Sequence, residues 1–315
     1  MTTTTTTTTM KEWMKDTSSC KMRWHLVHVL VQQQPMLWVG IELGNVLLHS
    51  FAADKSLPLL TKQQFWDYGL WDLVQTLTVI ISHVKDRSTQ QCLWKLVLDL
   101  IHMSNLQARF QCISSVALHC PVSIVSSMMF TELKNQIWKH WDSHSETATL
   151  ESSDTLESSS NPFASSDVVM VCVQQLGKVL PSQSQCHCHD DSKSDSSQHS
   201  HSHQHQQLPT DELHTVTQWL DPLNSCLNVI RFLLLKDKVS NRTSIYDDDC
   251  PLKEALANVQ TYLKTLSNPP AKHDPSDSIQ QFNDFQQNMI QTQLQLTLDL
   301  INRTIELFQA KPSPQ

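Results

Sequence analysis

Apolar residues recur along the chain at intervals of three and four, the spacing that lines one face of an α-helix. In residues 210–236 the positions Leu220, Leu223, Leu227, Ile230 and Leu234 alternate at three, four, three and four. In residues 251–266 Leu252, Leu256, Val259, Leu263 and Leu266 alternate at four, three, four and three. The segment 276–310 puts Ile290, Leu294, Leu298, Ile301, Ile305 and Phe308 on one face, and Leu296, Leu300 and Leu307 on an adjacent one. Such a helix is expected to pack on two sides. Further helices are predicted over 21–33, 36–52, 61–84, 88–103, 105–119 and 121–142, with a short one over 167–180. Pro35, Pro58 and Pro121 fall at the junctions, where a missing N–H costs little. Ser88, three residues before Gln91, is the expected cap of the helix that carries the Leu93, Val97, Leu100 stripe. Asp249 and Pro251 read as cap and first-turn proline of the 251–266 helix. Asp221-Pro222 predicts a break or kink near the start of the 210–236 helix.

Between these periodic stretches the pattern disappears. Residues 1–20 begin with a methionine and eight threonines, a tract with too little apolar area to fold. Residues 143–166 are rich in Ser and Thr, and from Lys139 to Lys178 there are six acids and no base, so a flexible loop is expected. Residues 181–209 are a second loop of Ser, Gln and His. The predicted order is therefore a tail (1–20), a helical repeat region (21–142), an acidic loop (143–166), a helix (167–180), a His-rich loop (181–209), a C-terminal helical region (210–310) and a tail (311–315). About ten helices in pairs of roughly 40 residues match the period of HEAT and armadillo repeats. The expected fold is all-α, a helical-hairpin array (α-solenoid) with no sheet, and a compact helical bundle is the alternative.

Composition narrows the chemistry. Four of the 315 residues are glycine, where an average chain would have roughly 22. Phosphate-cradling loops need clustered glycines and tight hairpins need Asn-Gly or Asp-Gly, so nucleotide-binding α/β and all-β folds are disfavoured. The net charge of −8 gives no cationic footprint for nucleic acid, so no such partner is expected. Nine cysteines are thinly spread, and no secretion leader is recognised at the start, which points to a reducing compartment. The expected location is the cytoplasm, with the nucleus second. From Phe110 to Thr131 there is no charged residue, but Pro121, His119 and five serines argue for two core helices rather than a membrane span.

Candidate sites are few. Cys186, His187, Cys188 and His189 have metal-ligand chemistry but sit two apart in a Ser/Gln tract, without the Cys-x2–4-Cys scaffold of a structural zinc site. They are expected to bind metal only adventitiously, so no metal or cofactor is assigned. No Gly-x-Ser-x-Gly, His-Glu-x-x-His or calcium-loop motif occurs, so no enzyme activity is expected. Trp66 and Trp71 flank Gly69, and Trp138 and Trp141 follow Lys134, beside Lys139 and His140. Tryptophan next to cations is common at protein interfaces, although helical spacing favours the core for most of them.

The run from Asp221 to Thr243, DPLNSCLNVIRFLLLKDKVSNRT, resembles a segment of the glomulin family, which includes the plant aberrant-lateral-root-formation proteins. Leu133-Lys134-Asn135-Gln136-Ile137, residues 60–102 and the final helix from Gln291 to Phe308 are similar to family segments in the same order. The resemblance spans roughly residues 40–310 and corresponds to the family's C-terminal half; the loops at 143–166 and 181–209 are longer and more biased than the family's. It implies a HEAT-like array that binds the RING subunit of a cullin-RING ubiquitin ligase, with its cullin, and covers the face that receives the ubiquitin-conjugating enzyme. The polar helix ends in the family-like stretches are then the expected partner-binding residues: Lys134, Asn135 and Lys139 in one set, Arg231, Lys236, Asp237 and Asn241 in the other.

Overall fold

A computed structural model describes residues 17–53, 58–142, 161–180, 210–267 and 278–310. These residues form eleven α-helices and two short 3-10 turns, with no strand beyond a lone bridge between Leu60 and Ser104. The fold is all-α. The helices are α1 Thr17–Gln32, α2 Leu37–Ala53, α3 Lys62–Asp67, α4 Leu70–His83, α5 Arg87–His102, α6 Leu106–His119, α7 Ser123–His140, α8 Ser166–Val179, α9 Thr210–Lys236, α10 Leu252–Ser267 and α11 Ser278–Gln309. The expected tail and loop residues 1–16, 143–160, 181–209 and 311–315 lie outside the described residues.

Neighbours in sequence pack as neighbours in space. α1 packs on α2, α4 on α5 and α6 on α7. The pairs then meet in order: α1 and α2 rest on α4 and α5, α4 touches α7, α5 touches α6, and α7 lies along α9. α8 contacts α6, α9 and α10, and α11 closes over α9 and α10. The apolar stripes become the core: Leu93, Val97 and Leu100 of α5, the five α9 positions, and Leu252, Leu256, Val259 and Leu263 of α10 are all buried.

Five local features differ from the sequence expectation. The 61–84 segment is two helices, because Gly69 takes φ +71°, a left-handed conformation cheap only for glycine. α3 is started by a reciprocal cap in which Gln64 N donates to Thr61 Oγ1 and Thr61 N donates to Gln64 Oε1. The cap of α5 is Asp86, not Ser88: its Oδ2 accepts from Thr89 N at 2.8 Å, and Ser88 itself donates to that oxygen. Pro222 lies inside α9, which continues through it; a missing N–H is outweighed there by the buried neighbours Leu220 and Leu223.

The fourth difference is the end of the acidic loop. Asn161, Pro162 and Phe163 are buried, and Phe163 is completely so. Its ring sits edge-on to Phe110 at 5.4 Å and stacks on His140 at 5.8 Å. Asn161 Nδ2 donates to His140 O at 2.7 Å. One aromatic side chain supplies enough apolar area to anchor a stretch whose composition is polar. On α11, the second stripe is not packed as expected: Leu300 and Leu307 are half-buried and Leu296 is exposed. The charge-free stretch Phe110–Thr131 divides between α6 and α7 at Pro121. By length and composition one described segment, Gln34–Ala53, could cross a membrane.

Glycine marks a close helix approach. A Cβ on Gly40 would stand 2.7 Å from Val31 Cγ1 and 2.9 Å from Val31 N, so α1 and α2 touch backbone to backbone there. Gly177, exposed in α8, has open space. Gly40→Ala is expected to cost roughly 1–3 kcal/mol by overpacking, whereas Gly177→Ala gains up to about 1 kcal/mol of helix propensity; urea unfolding of both variants checks the pair. The hydroxyls of Ser88 and Thr89, with the Thr89 N–H, hold the Asp86 carboxyl down to about 2, below its ordinary value. A depressed carboxylate stabilises the fold above its unfolded-state pKa and loses that contribution as pH falls through the folded value. Asp86→Asn should therefore flatten the decline of melting temperature between about pH 4 and pH 2.

Candidate functional site

The two predicted polar sets come from α7 and α9, and these helices lie side by side and parallel. Ser127 meets Ser225 at 2.6 Å, and a turn or more onward Trp138 meets Phe232, with ring centroids 5.9 Å apart. Both C-terminal ends therefore open at the same edge of the molecule. Parallel alignment also gathers two negative helix-dipole ends, which lysines at those ends complement.

The α7 end is oriented from beneath. Arg109 is buried in α6 and donates from Nη2 to the carbonyls of His102 and Ser104, at 2.7 and 2.9 Å, and from Nη1 to Gln136 Oε1. Gln136 Nε2 donates to Glu132 Oε1 at 2.6 Å, and His102 Nε2 lies 3.1 Å from the same oxygen. Burial pushes the Glu132 pKa up, but hydrogen bonds from His102, Gln136 and Asn135 outweigh it and leave the carboxyl below its ordinary value. With positions 132, 133, 136 and 137 turned inward, Lys134, Asn135, Trp138 and Lys139 are left at the outer face. Asn135 is exposed but donates to Glu132 Oε2 at 3.3 Å; Lys134 is half-buried and Lys139 exposed.

The α9 end divides its residues between building and display. Asp237 is fully buried. Its Oδ1 accepts from Arg242 N at 2.7 Å and Ser240 Oγ at 2.8 Å, and its Oδ2 from Thr243 N and Thr243 Oγ1, both at 2.7 Å. Asn241 takes φ +45°, accepts from Tyr246 N and donates to Asp247 Oδ1. Both residues therefore shape the turn after α9 rather than point outward. That turn reaches back to α7: Arg242 donates from Nη1 to Trp141 O at 2.7 Å, with its guanidinium 5.8 Å from the Trp141 ring centre. Arg231 is half-buried, its Nε enclosed without a hydrogen-bond partner. Lys236 lies 5.0 Å over the Trp138 ring and 3.5 Å from Asp142 Oδ2.

The sequence pointed to Trp138 and Trp141 without separating them, and sequence reasoning passed over Leu235 and Val239. Trp138 is 64% exposed while Trp141 is buried, Leu235 is 62% exposed, and Val239 in the following turn is 97% exposed. Leu235 was legible in principle: Leu233-Leu234-Leu235 is three consecutive apolar residues, and a helix that buries the first two must turn the third outward. An exposed indole under a lysine, beside aliphatic side chains and more cations, has the aromatic-and-cation composition enriched at protein interfaces.

Other surfaces carry less chemistry. Among the described residues no three His, Cys, Asp or Glu side chains converge to hold a metal. Cys186, His187, Cys188 and His189 lie outside the described residues. A cleft of about 390 Å³ between α2 and α5 has His49, Lys95, Asp99 and His102 among its lining, and no described hydroxyl or thiol lines it. No model of a known protein family matches the chain, and no curated protein matches it at a significant level.

Asp237→Ala leaves two backbone N–H groups and two hydroxyls without their acceptor. A loss of about 3 kcal/mol or more is expected in urea unfolding, since each stranded buried donor costs roughly 1–3 kcal/mol; a loss below about 1 kcal/mol would show that the turn does not depend on this carboxylate.

Proposed function

We propose that this chain is a non-catalytic protein-binding regulator that docks its partner on the paired ends of α7 and α9. The observation that carries the proposal is Trp138, exposed beneath Lys236 on an edge that also exposes Leu235 and carries Lys134 and Lys139. Such a face binds a protein surface that offers acidic and apolar groups together. Helix pairs meeting in chain order support a HEAT-like array as its scaffold.

The proposed partner is the RING subunit of a cullin-RING (SCF-type) ubiquitin ligase, together with its cullin. Support comes from the resemblance of residues 221–243 and 133–137 to the glomulin family, since these two stretches contribute the adjoining helix ends. Inhibition by this route is steric: a standard interface of about 800 Å² per partner covers the RING face and keeps the conjugating enzyme away without chemistry. Cytoplasm, with the nucleus second, is the proposed location. A second reading is a helical scaffold for some other protein, since an exposed indole beside cations suits acidic and apolar protein surfaces in general.

Pull-down with a purified cullin–RING heterodimer, followed by a ubiquitin-chain assay, separates the two readings. The chain is expected to bind and to slow chain formation. The double variant Lys134→Glu, Arg231→Glu, checked for folding by circular dichroism, should need at least roughly tenfold more protein for the same inhibition. Unchanged inhibition by the folded variant would move the binding face elsewhere, and no binding by the natural sequence would leave the scaffold reading.

A further inference from the structure

Gly44 lets α2 close on α5, since a Cβ there would stand 3.2 Å from Leu96 Cδ1. Beyond that contact the same two helices line the cleft of about 390 Å³, a volume within the roughly 300–1,000 Å³ of small-ligand pockets. Its apolar lining is Leu48 and Met103, both buried, with the half-buried Phe51 and the exposed Leu59. Lys95, Asp99 and His102 of α5 follow one another by four and three residues, so they share the helix face that borders the cleft. These polar groups are not spent on one another. Lys95 and Asp99 are one turn apart, yet neither makes an ion pair among the described residues. His102 is held from behind, its Nε2 lying 3.1 Å from Glu132 Oε1 and 3.0 Å from Gln136 Nε2. Its Nδ1 has no partner among the described residues, and its side chain is 37% exposed.

We propose that this cleft binds a free amino acid with an apolar side chain, its carboxylate on Lys95, its ammonium on Asp99 and its side chain against Leu48, Phe51, Leu59 and Met103. The charges decide the class. A cation and an anion one helical turn apart match a ligand that carries both signs. A simple acid would leave Asp99 unmatched beside its own negative charge, and a simple amine would do the same to Lys95. The direction follows from the helix. Asp99 lies in the last turn of α5, where the exposed carbonyls favour a cation, and Lys95 lies one turn earlier. His102, fixed by Glu132, presents Nδ1 as a further hydrogen-bonding group. The volume suits one small molecule, and with no described hydroxyl or thiol in the lining the site is built for binding. None of its lining residues belongs to the α7/α9 edge, so the proposal is independent of the partner assigned there.

Isothermal titration calorimetry of the full chain with L-leucine tests the proposal. Leucine is expected to bind with a dissociation constant below about 1 mM and to raise the melting temperature by mass action. Isocaproate, which is leucine without its ammonium, and isoamylamine, which is leucine without its carboxylate, should each bind at least roughly tenfold more weakly. Lys95→Met and Asp99→Asn should each weaken leucine binding by roughly tenfold or more. Lys95 is exposed, so its variant keeps the melting temperature of the unliganded chain and reports on the site whatever Asp99→Asn does to folding. No leucine binding up to about 10 mM overturns the proposal, as does leucine binding that Lys95→Met leaves unchanged. Equal binding of isocaproate overturns it in favour of a simple acid, and equal binding of isoamylamine in favour of a simple amine.

Discussion

The arrangement of the C-terminal half depends on the burial of α9. Three other helices, α7, α8 and α11, pack against it, and its apolar stripe from Leu220 to Leu234 is almost fully removed from water. A helix held on that many sides has one stable rotation about its axis, because turning it would expose leucines worth roughly 1.5–3 kcal/mol each. That rotation dictates which residues of its last turn reach the surface. Leu235 and Lys236 reach it, while Leu233, Leu234 and Asp237 do not.

Asp237 converts this packing into a defined edge. A carboxylate with four donors to its two oxygens is stable without water, and it forces the chain into the turn that carries Arg242 back to Trp141. Tyr246, in the same turn, donates to Leu234 O and packs against Phe308 of α11. The ends of α7, α9 and α11 are thus tied by one short segment. The Arg109–Gln136–Glu132–His102 network does the same for α7 from the opposite side, binding the α5–α6 turn to the α7 helix. Polar interior groups here fix orientation, and the leucine stripes supply most of the burial.

Two exposed faces result, with different compositions. The α7/α9 edge mixes an exposed indole with cations. The outer side of α1 and α2 exposes Met22, Leu26, Val29, Val39 and Val46, with His25 and Glu42 among them. Charged and polar rims permit a surface to be soluble alone, whereas an apolar side of two helices exposes a patch that water disfavours. Trp66 stacked on Trp71 at 5.1 Å adds a smaller aromatic corner beside the left-handed Gly69.

The helical class and nearly every helix were legible from spacing, since burying one face of a helix demands a three-four repeat wherever its neighbours lie. The predicted 88–103, 105–119, 210–236 and 251–266 segments agree with the helices to within a residue or two at each end. Candidate residues were legible only as residue types near helix ends. Lys236 and Asp237 are adjacent and both polar, yet one lies over an indole and the other is sealed in a turn. Trp138 and Trp141 are three apart, one in the last turn of α7 and one just after it, and the first is exposed while the second is buried. Phe163 reads as part of a polar loop and is core, because the contact that holds it comes from Phe110, far away in sequence. Local spacing thus determined which segments are helices, because the helix repeat belongs to the segment itself. Only the tertiary structure decided which polar and aromatic groups reach the surface, because that depends on how each helix is rotated against others distant in the chain.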